Sequence, residues 1–308
     1  MISVVIPTHD RISDLRKALQ SVYNQTVLPV EIVVVDDGSS PPVTENIFAD
    51  APEKIKTLLL RNETSQGGNN ARNRGIEAVT SEWIAFLDDD DEFMLNKIES
   101  IIQCIKENKN VDIIYNRAVI NMVNESVSYL TPYLNSIPDD ELFRILLTKN
   151  VIGGTSLVSG RRMALMRAGN FDENLKQIQD YELWLRCAKS GCKFKALNAP
   201  LTNYKVLTDR DFTSKSLERY NESWAYIEAK YHSDFSALTK AERRRLESWK
   251  IGRLVKKSLV VGNVKQAVFF QFKQTINNPS MKNILILIAL PFGRKFIYKL
   301  LMKARICG

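Results

Sequence analysis

The chain has 308 residues, enough for one large α/β domain with an appendage or for two domains. Hydrophobic residues make up 44% and charged residues 25%, a globular composition that excludes disordered, collagen-like and disulfide-stapled chains. The four cysteines form no Cys-x-x-Cys pair and the two histidines are far apart, so any metal ion should be held by carboxylates. No signal-peptide pattern opens the chain, and a reducing cytoplasm is the expected compartment.

The net charge of +8 is distributed unevenly along the chain. Residues 248–308 contain twelve Lys or Arg residues and no Asp or Glu, whereas residues 1–247 contain 31 basic and 35 acidic residues. The first four-fifths therefore has a net charge of −4 and the tail a net charge of +12. Such a division predicts two electrostatically different parts.

Short apolar runs alternate with helical patterns through the first half of the chain. The runs predict strands over residues 3–6, 31–35, 57–60, 83–87 and 112–115. Apolar residues at helical spacing predict helices over residues 14–22, 71–79, 95–107 and 183–188. This alternation favours an α/β fold with a mostly parallel, doubly wound sheet. The pattern becomes helical from about residue 212, which predicts two parts, residues 1–211 and 212–308.

Four consecutive aspartates, Asp88–Asp91, follow directly after the predicted strand 83–87. Parallel sheets place ligand sites at the carboxyl ends of their strands. Mg²⁺ and Mn²⁺ prefer oxygen ligands, usually one or two carboxylates together with water and substrate phosphates. The run therefore favours a divalent-metal site over the alternative, a solvated acidic loop.

Two further segments could contribute to a site at the same edge of the sheet. Asp36–Ser39 ends another predicted parallel strand, although an Asp-Gly pair there is equally consistent with a turn. Residues 66–75 form a glycine-rich entry to a helix with two arginines, which suits an anionic or nucleotide ligand. Asp180 begins an apolar helix, where an aspartate is most often a cap or first-turn acid, so only its association with a metal site makes it a candidate base.

Six blocks of the sequence, each weak alone, follow one another in a specific order. They are Val5–Thr8, Ile32–Ser39, Gly67–Gly75, Phe86–Asp91, Gly169–Asp172 and Asp180–Arg186. In this order and spacing the first 210 residues or so resemble the family 2 glycosyltransferases. The resemblance implies the GT-A fold, a Rossmann-like, mostly parallel sheet flanked by helices, followed here by a helical, basic C-terminal extension.

The resemblance also implies a nucleotide-diphosphate sugar as donor, with a UDP-sugar favoured. The donor-binding residues that it implies are Pro7, Thr8, Arg11, Asp36, Arg72, Asp88 and Asp89. Within this set, the family's base-recognition positions fall on Thr8, Asp36 and Arg72. The DxD motif falls on Asp88 and Asp90, with Asp90 as the ligand of Mn²⁺ or Mg²⁺ and Asp88 toward the ribose or metal-bound water.

Asp180 takes the family position of the catalytic base, which accepts the proton of the attacking hydroxyl while a metal-bound diphosphate leaves. Such a single displacement inverts the anomeric configuration. The chain departs from the family at His9-Asp10, where an aromatic-Asn pair is usual, and at Gln179, where an acid often precedes the base. The QxxRW pattern of processive members is absent, so one sugar per acceptor is expected.

The basic tail, residues 248–308, suits an anionic membrane surface because its cations accompany aromatic residues and the apolar run 284–292. That run is too short to cross a bilayer as a helix, which takes about 20 residues. We expect a cytoplasmic protein on the inner face of the cell membrane, acting on a polyprenyl-diphosphate-linked glycan in O-antigen or capsule assembly. Nucleic acid fits the aliphatic run poorly. The alternative is a helical subdomain that packs on the catalytic domain.

Two other classes of protein fit parts of the sequence. A sugar-phosphate nucleotidyltransferase is also a metal-dependent α/β enzyme, but it needs a phosphate-binding glycine-rich loop after the first strand, where this chain has Pro7–Arg11. A non-enzymatic receiver-like module would use Asp36 and Asp37 for Mg²⁺ and phosphate, but the chain length and the second acidic cluster count against it. Residues 116–160 are expected to shape the acceptor pocket.

Overall fold

A computed structural model describes residues 1–206, 216–293 and 295–297. Within them, nine strands occur: β1 (Ile2–Thr8), β2 (Glu31–Asp37), β3 (Lys56–Asn62), β4 (Trp83–Phe86), β5 (Glu92–Phe93), β6 (Ile113–Met122), β7 (Val127–Leu130), β8 (Val158–Arg161) and β9 (Phe194–Val206). The same residues form eleven α-helices: α1 (Ile12–Tyr23), α2 (Gly68–Ala78), α3 (Lys97–Glu107), α4 (Asp139–Leu146), α5 (Arg162–Arg167), α6 (Gln179–Lys189), α7 (Leu217–Lys230), α8 (His232–Ser236), α9 (Lys240–Val260), α10 (Val264–Asn277) and α11 (Met281–Ala289).

The strands form one mixed sheet in the order β3-β2-β1-β4-β8-β6-β9-β5, with β7 beside β6. The first four strands of this order are parallel to one another, as are β6 and β9. Strand β8 is antiparallel to both of its neighbours, and β5 is antiparallel to β9. The predicted α/β fold with a mostly parallel sheet is confirmed.

Two hydrophobic cores cover the two faces of the sheet, and alternate residues of each strand enter opposite cores. Val5 of β1 packs in one core with α2 and α6, whereas Val4 and Ile6 pack in the other with α1 and α3. Every residue of β1, β2 and β4 is buried, which explains why these strands read as continuous apolar runs. The acidic ends of β2 and β4 lie at one edge of this rigid sheet.

The helical region after residue 216 packs partly on the α/β part. The ring of Tyr181 in α6 lies 5.5 Å from that of Trp224 in α7 and 5.3 Å from that of Trp249 in α9. Beyond these contacts, α9, α10 and α11 form a small core of their own around Leu259 and Leu290. The α7 and α9 helices therefore extend the core of the α/β part, and α10 and α11 pack outside it on α9.

Several features predicted for the tail lie outside the described residues. They are the division at residues 211 and 212 and four of the basic residues near the C-terminus, Arg294, Lys299, Lys303 and Arg305. Between residues 216 and 293 and at 295–297, the chain is helical, as predicted. No helix of the described residues has both the length and the apolar character needed to cross a bilayer.

Candidate active site

The end of β2 places Asp36 beside Thr8 of β1 at the carboxyl edge of the parallel strands, and the region between this edge and the start of α6 is called the cleft below. The buried Asp36 carboxylate accepts hydrogen bonds from the backbone N–H groups of Ser39 (2.9 Å) and Val43 (3.1 Å), and it pairs with Arg61. Burial disfavours the charged form, but these hydrogen bonds outweigh it and lower the pKa of Asp36. Asp36 is thus a fixed anion, and the turn after it needs Gly38, whose φ is +77° and where a Cβ would lie 2.7 Å from the Ser65 nitrogen.

Asp37 orders the glycine-rich loop that leads into α2. Its carboxylate accepts hydrogen bonds from the Ser65 hydroxyl (2.7 Å) and from the backbone N–H groups of Gln66 and Gly67 (both 2.8 Å). Burial opposes its ionisation, yet these donors lower the pKa of Asp37. The loop that the sequence singled out as a nucleotide contact is therefore held against the end of β2.

Burial alternates along the aspartate run after β4. Asp88 and Asp90 are partly exposed, whereas Asp89 and Asp91 are 1% and 2% exposed. The backbone N–H of Lys205 donates a 2.9 Å hydrogen bond to Asp91. Asp88 and Asp90 are thus the more accessible members of the run, and Asp89 and Asp91 anchor it in the protein.

Arg11, at the start of α1, neutralises part of the aspartate run. Its guanidinium lies 3.0 Å from Asp89 and 3.0 Å from Asp90. The Thr8 hydroxyl donates a 2.7 Å hydrogen bond to Asp89. Burial, only partly offset by the charge of Arg11, raises the pKa of Asp89 to about 7. Of the predicted donor-binding residues, Pro7, Thr8 and Asp89 are therefore buried, whereas Arg11 and Asp90 are partly exposed.

Arg72, on α2, connects the two acidic parts of the site. It donates a 2.6 Å hydrogen bond to Asp88 and lies over the ring of Phe171, 5.6 Å from its centroid. Burial favours its neutral form, but the charges of Asp88, Asp180 and Asp89 raise the pKa of Arg72. Its buried Nε and Nη1 atoms have no hydrogen-bond partner within the described part of the chain. Two donors of Arg72 are therefore available to an anionic ligand.

Asp180 lies at the start of α6, directly after Ile178, a non-glycine residue with a positive φ of 53°. The backbone N–H of Tyr181 donates a 2.7 Å hydrogen bond to the Asp180 carboxylate. Burial raises the pKa of Asp180, and the charges of Arg253 and Arg72 partly oppose this rise. A carboxylate with a raised pKa and an uncommon backbone conformation beside it has the character of a proton acceptor.

The segment from Gly153 to Ser156 joins Asp180 to the aspartate run. A Cβ on Gly154 would lie 3.8 Å from Asp180 Oδ2 and 3.4 Å from the ring of Tyr204, so both side chains lie next to this glycine. At the other end of the segment, the backbone N–H of Asp88 donates a 3.0 Å hydrogen bond to the Ser156 hydroxyl. Asp88 and Asp180 therefore lie on either side of one short turn.

Two residues that the motif analysis did not single out support this cleft. Buried Lys97 donates hydrogen bonds to the Ser156 carbonyl (2.6 Å) and to the Thr202 hydroxyl (2.9 Å). Burial, together with the nearby charges of Asp91 and three other aspartates, keeps the pKa of Tyr204 well above its usual value, so its phenol remains a donor. Only the tertiary structure could identify these residues, since β9 and α3 carry no motif.

Parallel strands with acidic ends, flanked by helices on both faces, are the arrangement of the predicted GT-A fold. A model of the family described as Glycosyl transferase family 2 matches residues 3–169, and the chain belongs to this family. It is therefore a glycosyltransferase, as predicted.

Two relatives among known proteins have glycosyltransferase names. An uncharacterized glycosyltransferase of Haemophilus influenzae is 30% identical over 233 residues, which cover 75% of this chain and 77% of that protein. The amylovoran biosynthesis glycosyltransferase AmsB of Erwinia amylovora is 27% identical over 216 residues, covering 67% and 70% of the two chains.

Two solved structures share the fold at low sequence identity. S. aureus TarS 1-349 in complex with UDP-GlcNAc matches 97% of this chain and 88% of its own, with a TM-score of 0.59 and 18% identity. The mannosyltransferase PcManGT from Pyrobaculum calidifontis, in complex with GDP-Man and Mn²⁺, matches 99% of this chain and 86% of its own, with a TM-score of 0.56 and 15% identity. These similarities establish the GT-A fold of the chain.

Proposed function

We propose that the protein is an inverting, metal-dependent glycosyltransferase that moves one sugar from a UDP-sugar to a hydroxyl of a glycan acceptor. The observation that carries the proposal is the placement of Asp88 and Asp180 on either side of the Gly154–Ser156 turn, with Arg72 close to both. This arrangement separates a donor side from a proton-accepting side within one cleft. It contains the components of a single displacement.

Asp88 and Asp90 fit a divalent ion in their chemistry and exposure. Both carboxylates are partly exposed, and burial and neighbouring carboxylates raise the pKa of Asp90 in spite of Arg11, so a bound cation would relieve unfavourable charge. Within the described residues no three His, Cys, Asp or Glu side chains form a metal-binding group, so the other ligands would be water and donor phosphates. When bound, Mn²⁺ or Mg²⁺ would neutralise charge on the departing diphosphate.

Residues of the chain would bind the nucleotide and accept the proton of the acceptor hydroxyl. Asp36 and the loop held by Asp37 would contact the uridine, and the two free donors of Arg72 would bind phosphate or ribose oxygens. Asp180 would accept the proton of the acceptor hydroxyl as that oxygen attacks the anomeric carbon from the face opposite the diphosphate. An α-linked donor would then give a β-linked product.

The acceptor is proposed to be a polyprenyl-diphosphate-linked saccharide in bacterial surface-polysaccharide assembly, of O-antigen or capsule type. Support comes from the name of the related amylovoran biosynthesis enzyme and from the C-terminal helices. Phe272 of α10 is 55% exposed, Ile288 of α11 is 62% exposed and Phe292 is 70% exposed, beside the basic residues Lys273 and Lys295. Apolar side chains among cations suit the inner face of the cell membrane, where such an acceptor would be anchored.

A donor panel tests the proposed function. The purified chain is incubated with UDP-, GDP- and dTDP-sugars, with Mn²⁺ or with EDTA, and nucleotide release is measured with and without membrane lipid extract as acceptor source. We expect release of UDP from a UDP-sugar that requires Mn²⁺ and increases with the extract. Pyrophosphate release from a nucleoside triphosphate and a sugar phosphate would instead indicate a nucleotidyltransferase, and a stable phosphoprotein would indicate a receiver-like module.

A further inference from the structure

Helix α9 runs across the N-terminal end of α6, next to Asp180. At one point of contact the Trp249 ring lies 5.3 Å from that of Tyr181, the residue after Asp180. Two turns further along, Lys257 Nζ donates a 2.6 Å hydrogen bond to Gln177 Oε1, three residues before Asp180. One face of α9 therefore packs along residues 177–181, the segment that contains the proposed base Asp180.

Arg253 lies on that same face of α9. It is four residues after Trp249 and four before Lys257, a spacing that places all three side chains on one side of a helix. Its position next to the base agrees with its electrostatic effect, since the charge of Arg253 lowers the pKa of Asp180, which burial raises. The basic tail thus brings a cation to the acceptor side of the cleft.

Arg253 is an exposed residue of α9. No hydrogen bond or ion pair joins it to a residue of the described ranges 1–206, 216–293 and 295–297. Lys257 is a second cation on the same face, and burial together with the charge of Arg253 lowers the pKa of Lys257 to about 8. Two adjacent cations favour an anionic ligand between or above them.

We propose that Arg253 binds a phosphate group of the acceptor, which makes the acceptor a phosphorylated or diphosphate-linked molecule. The inference rests on the proposed function and deepens it. The carboxylates proposed for the donor side have their own cations, since Arg72 pairs with Asp88 and Arg11 pairs with Asp90. Arg253 pairs with neither of these carboxylates, and its charge acts on Asp180, as that of Arg72 also does. A guanidinium at this place binds phosphate oxygens with two parallel hydrogen bonds, and it would hold the acceptor with its hydroxyl at Asp180.

Calorimetric titration with farnesyl diphosphate, a short prenyl diphosphate, tests the inference in the full chain saturated with UDP and Mg²⁺. We expect the wild-type chain to bind the probe, Arg253→Gln to weaken binding about tenfold or more and Arg253→Lys to weaken it less, because lysine keeps the charge but loses the paired donors. Lys265→Gln is the matched control, since it removes one exposed charge of the tail from α10, and it should bind as the wild type does.

Three results would overturn the inference. They are absence of probe binding by the UDP-saturated wild-type chain, equal binding by Arg253→Gln, and, in a matched titration without UDP, probe binding that appears only there, which would assign the diphosphate to the donor site. A flotation assay with phosphatidylglycerol vesicles separates acceptor from bilayer phosphate: we expect Arg253→Gln to float like the wild type, and a loss confined to flotation would also contradict the inference. UDP release in the donor panel tests the proposed function independently of each of these results.

Discussion

Arg72 of α2 donates a 2.6 Å hydrogen bond to Asp88, and its charge also acts on Asp180 across the cleft. The same guanidinium thus interacts with the proposed metal-side carboxylate Asp88 and with the proposed base Asp180. Its remaining donors have no partner among the described residues, so a ligand phosphate could complete its hydrogen bonding. The charges of Asp88 and Asp180 explain why an arginine can be buried between them. The shared arginine also supports a single site that contains both the proposed metal ligand and the proposed base.

Asp90→Ala should weaken the binding of UDP in the presence of Mn²⁺ by about tenfold or more, because the variant removes one of the two carboxylates proposed to hold the ion. Binding of UDP in EDTA should change little. Titration calorimetry with and without Mn²⁺ measures both constants. Asp50→Ala, an exposed aspartate distant from the run in sequence, is the control, and equal Mn²⁺ dependence in the two variants would exclude Asp90 as a ligand.

Glu182→Ala should destabilise the fold by about 3 kcal/mol. The Glu182 carboxylate is fully buried and accepts hydrogen bonds from Arg186 (2.9 Å) and Tyr231 (2.9 Å), and it pairs with Lys230 at 2.9 Å. Its removal leaves these groups without their common partner. Urea unfolding followed by circular dichroism measures the loss.

The control for Glu182→Ala is Glu77→Ala on the exposed side of α2. We expect it to change the free energy of unfolding by no more than about 0.5 kcal/mol, as surface substitutions usually do. Equal stability of the two variants would show that the buried network does not join α6 to α7 energetically.

The pH dependence of turnover should show the raised pKa of Asp180. The base works only when ionised, so turnover should fall as the pH drops through its pKa, and this acid limb should lie above the ordinary aspartate value of about 3.9. Burial raises the pKa of Asp180, the charge of Asp88 raises it further, and the charges of Arg253 and Arg72 lower it. Arg253→Gln removes one opposing charge and should move the limb to higher pH, whereas Arg253→Lys should leave it nearly unchanged. A limb that moves to lower pH in Arg253→Gln would contradict this electrostatic arrangement.

Membrane association should depend on the exposed apolar side chains of the C-terminal helices. The double variant Phe272→Ser with Phe292→Ser should reduce flotation with anionic vesicles about tenfold, because burial of a large apolar side chain stabilises binding by about 1.5–3 kcal/mol. Met163→Ser is the control, since Met163 is 57% exposed but belongs to α5. Vesicle binding that is absent in the wild type, or unaffected by the double variant, would argue against a membrane-facing surface.

The strands and acidic ends of the parallel half could be predicted from the sequence because burial on both faces requires continuous apolar runs. The runs around Val33 and Ile84 also located the two strand ends that Asp36 and Asp88 follow. By contrast, β7 and α4 were not predicted, since their alternating exposed and buried residues give only short patterns. Periodicity in the sequence therefore predicted the buried strands of the parallel half but not the elements between β6 and β8.

The convergence of side chains from distant segments depended on tertiary structure. Ser156 contacts Asp88 across 68 residues, and Tyr204 and Asp180 both lie next to Gly154. Arg253 reaches the site because α9 packs on Tyr181, a contact that neither the charge nor the spacing of the tail encodes. The motifs indicated the chemistry of the site, and the packing of β9 and α9 supplied its acceptor side.

The turnover number of Asp180→Asn at saturating donor and acceptor tests the central claim most directly. Asparagine has nearly the same shape as aspartate and cannot accept the proton, so turnover should fall by roughly two to four orders of magnitude while UDP binding is retained. That result would agree with a base located across the cleft from the donor. Full turnover in this variant would show that another group accepts the proton, and the proposed division of the cleft would then be wrong.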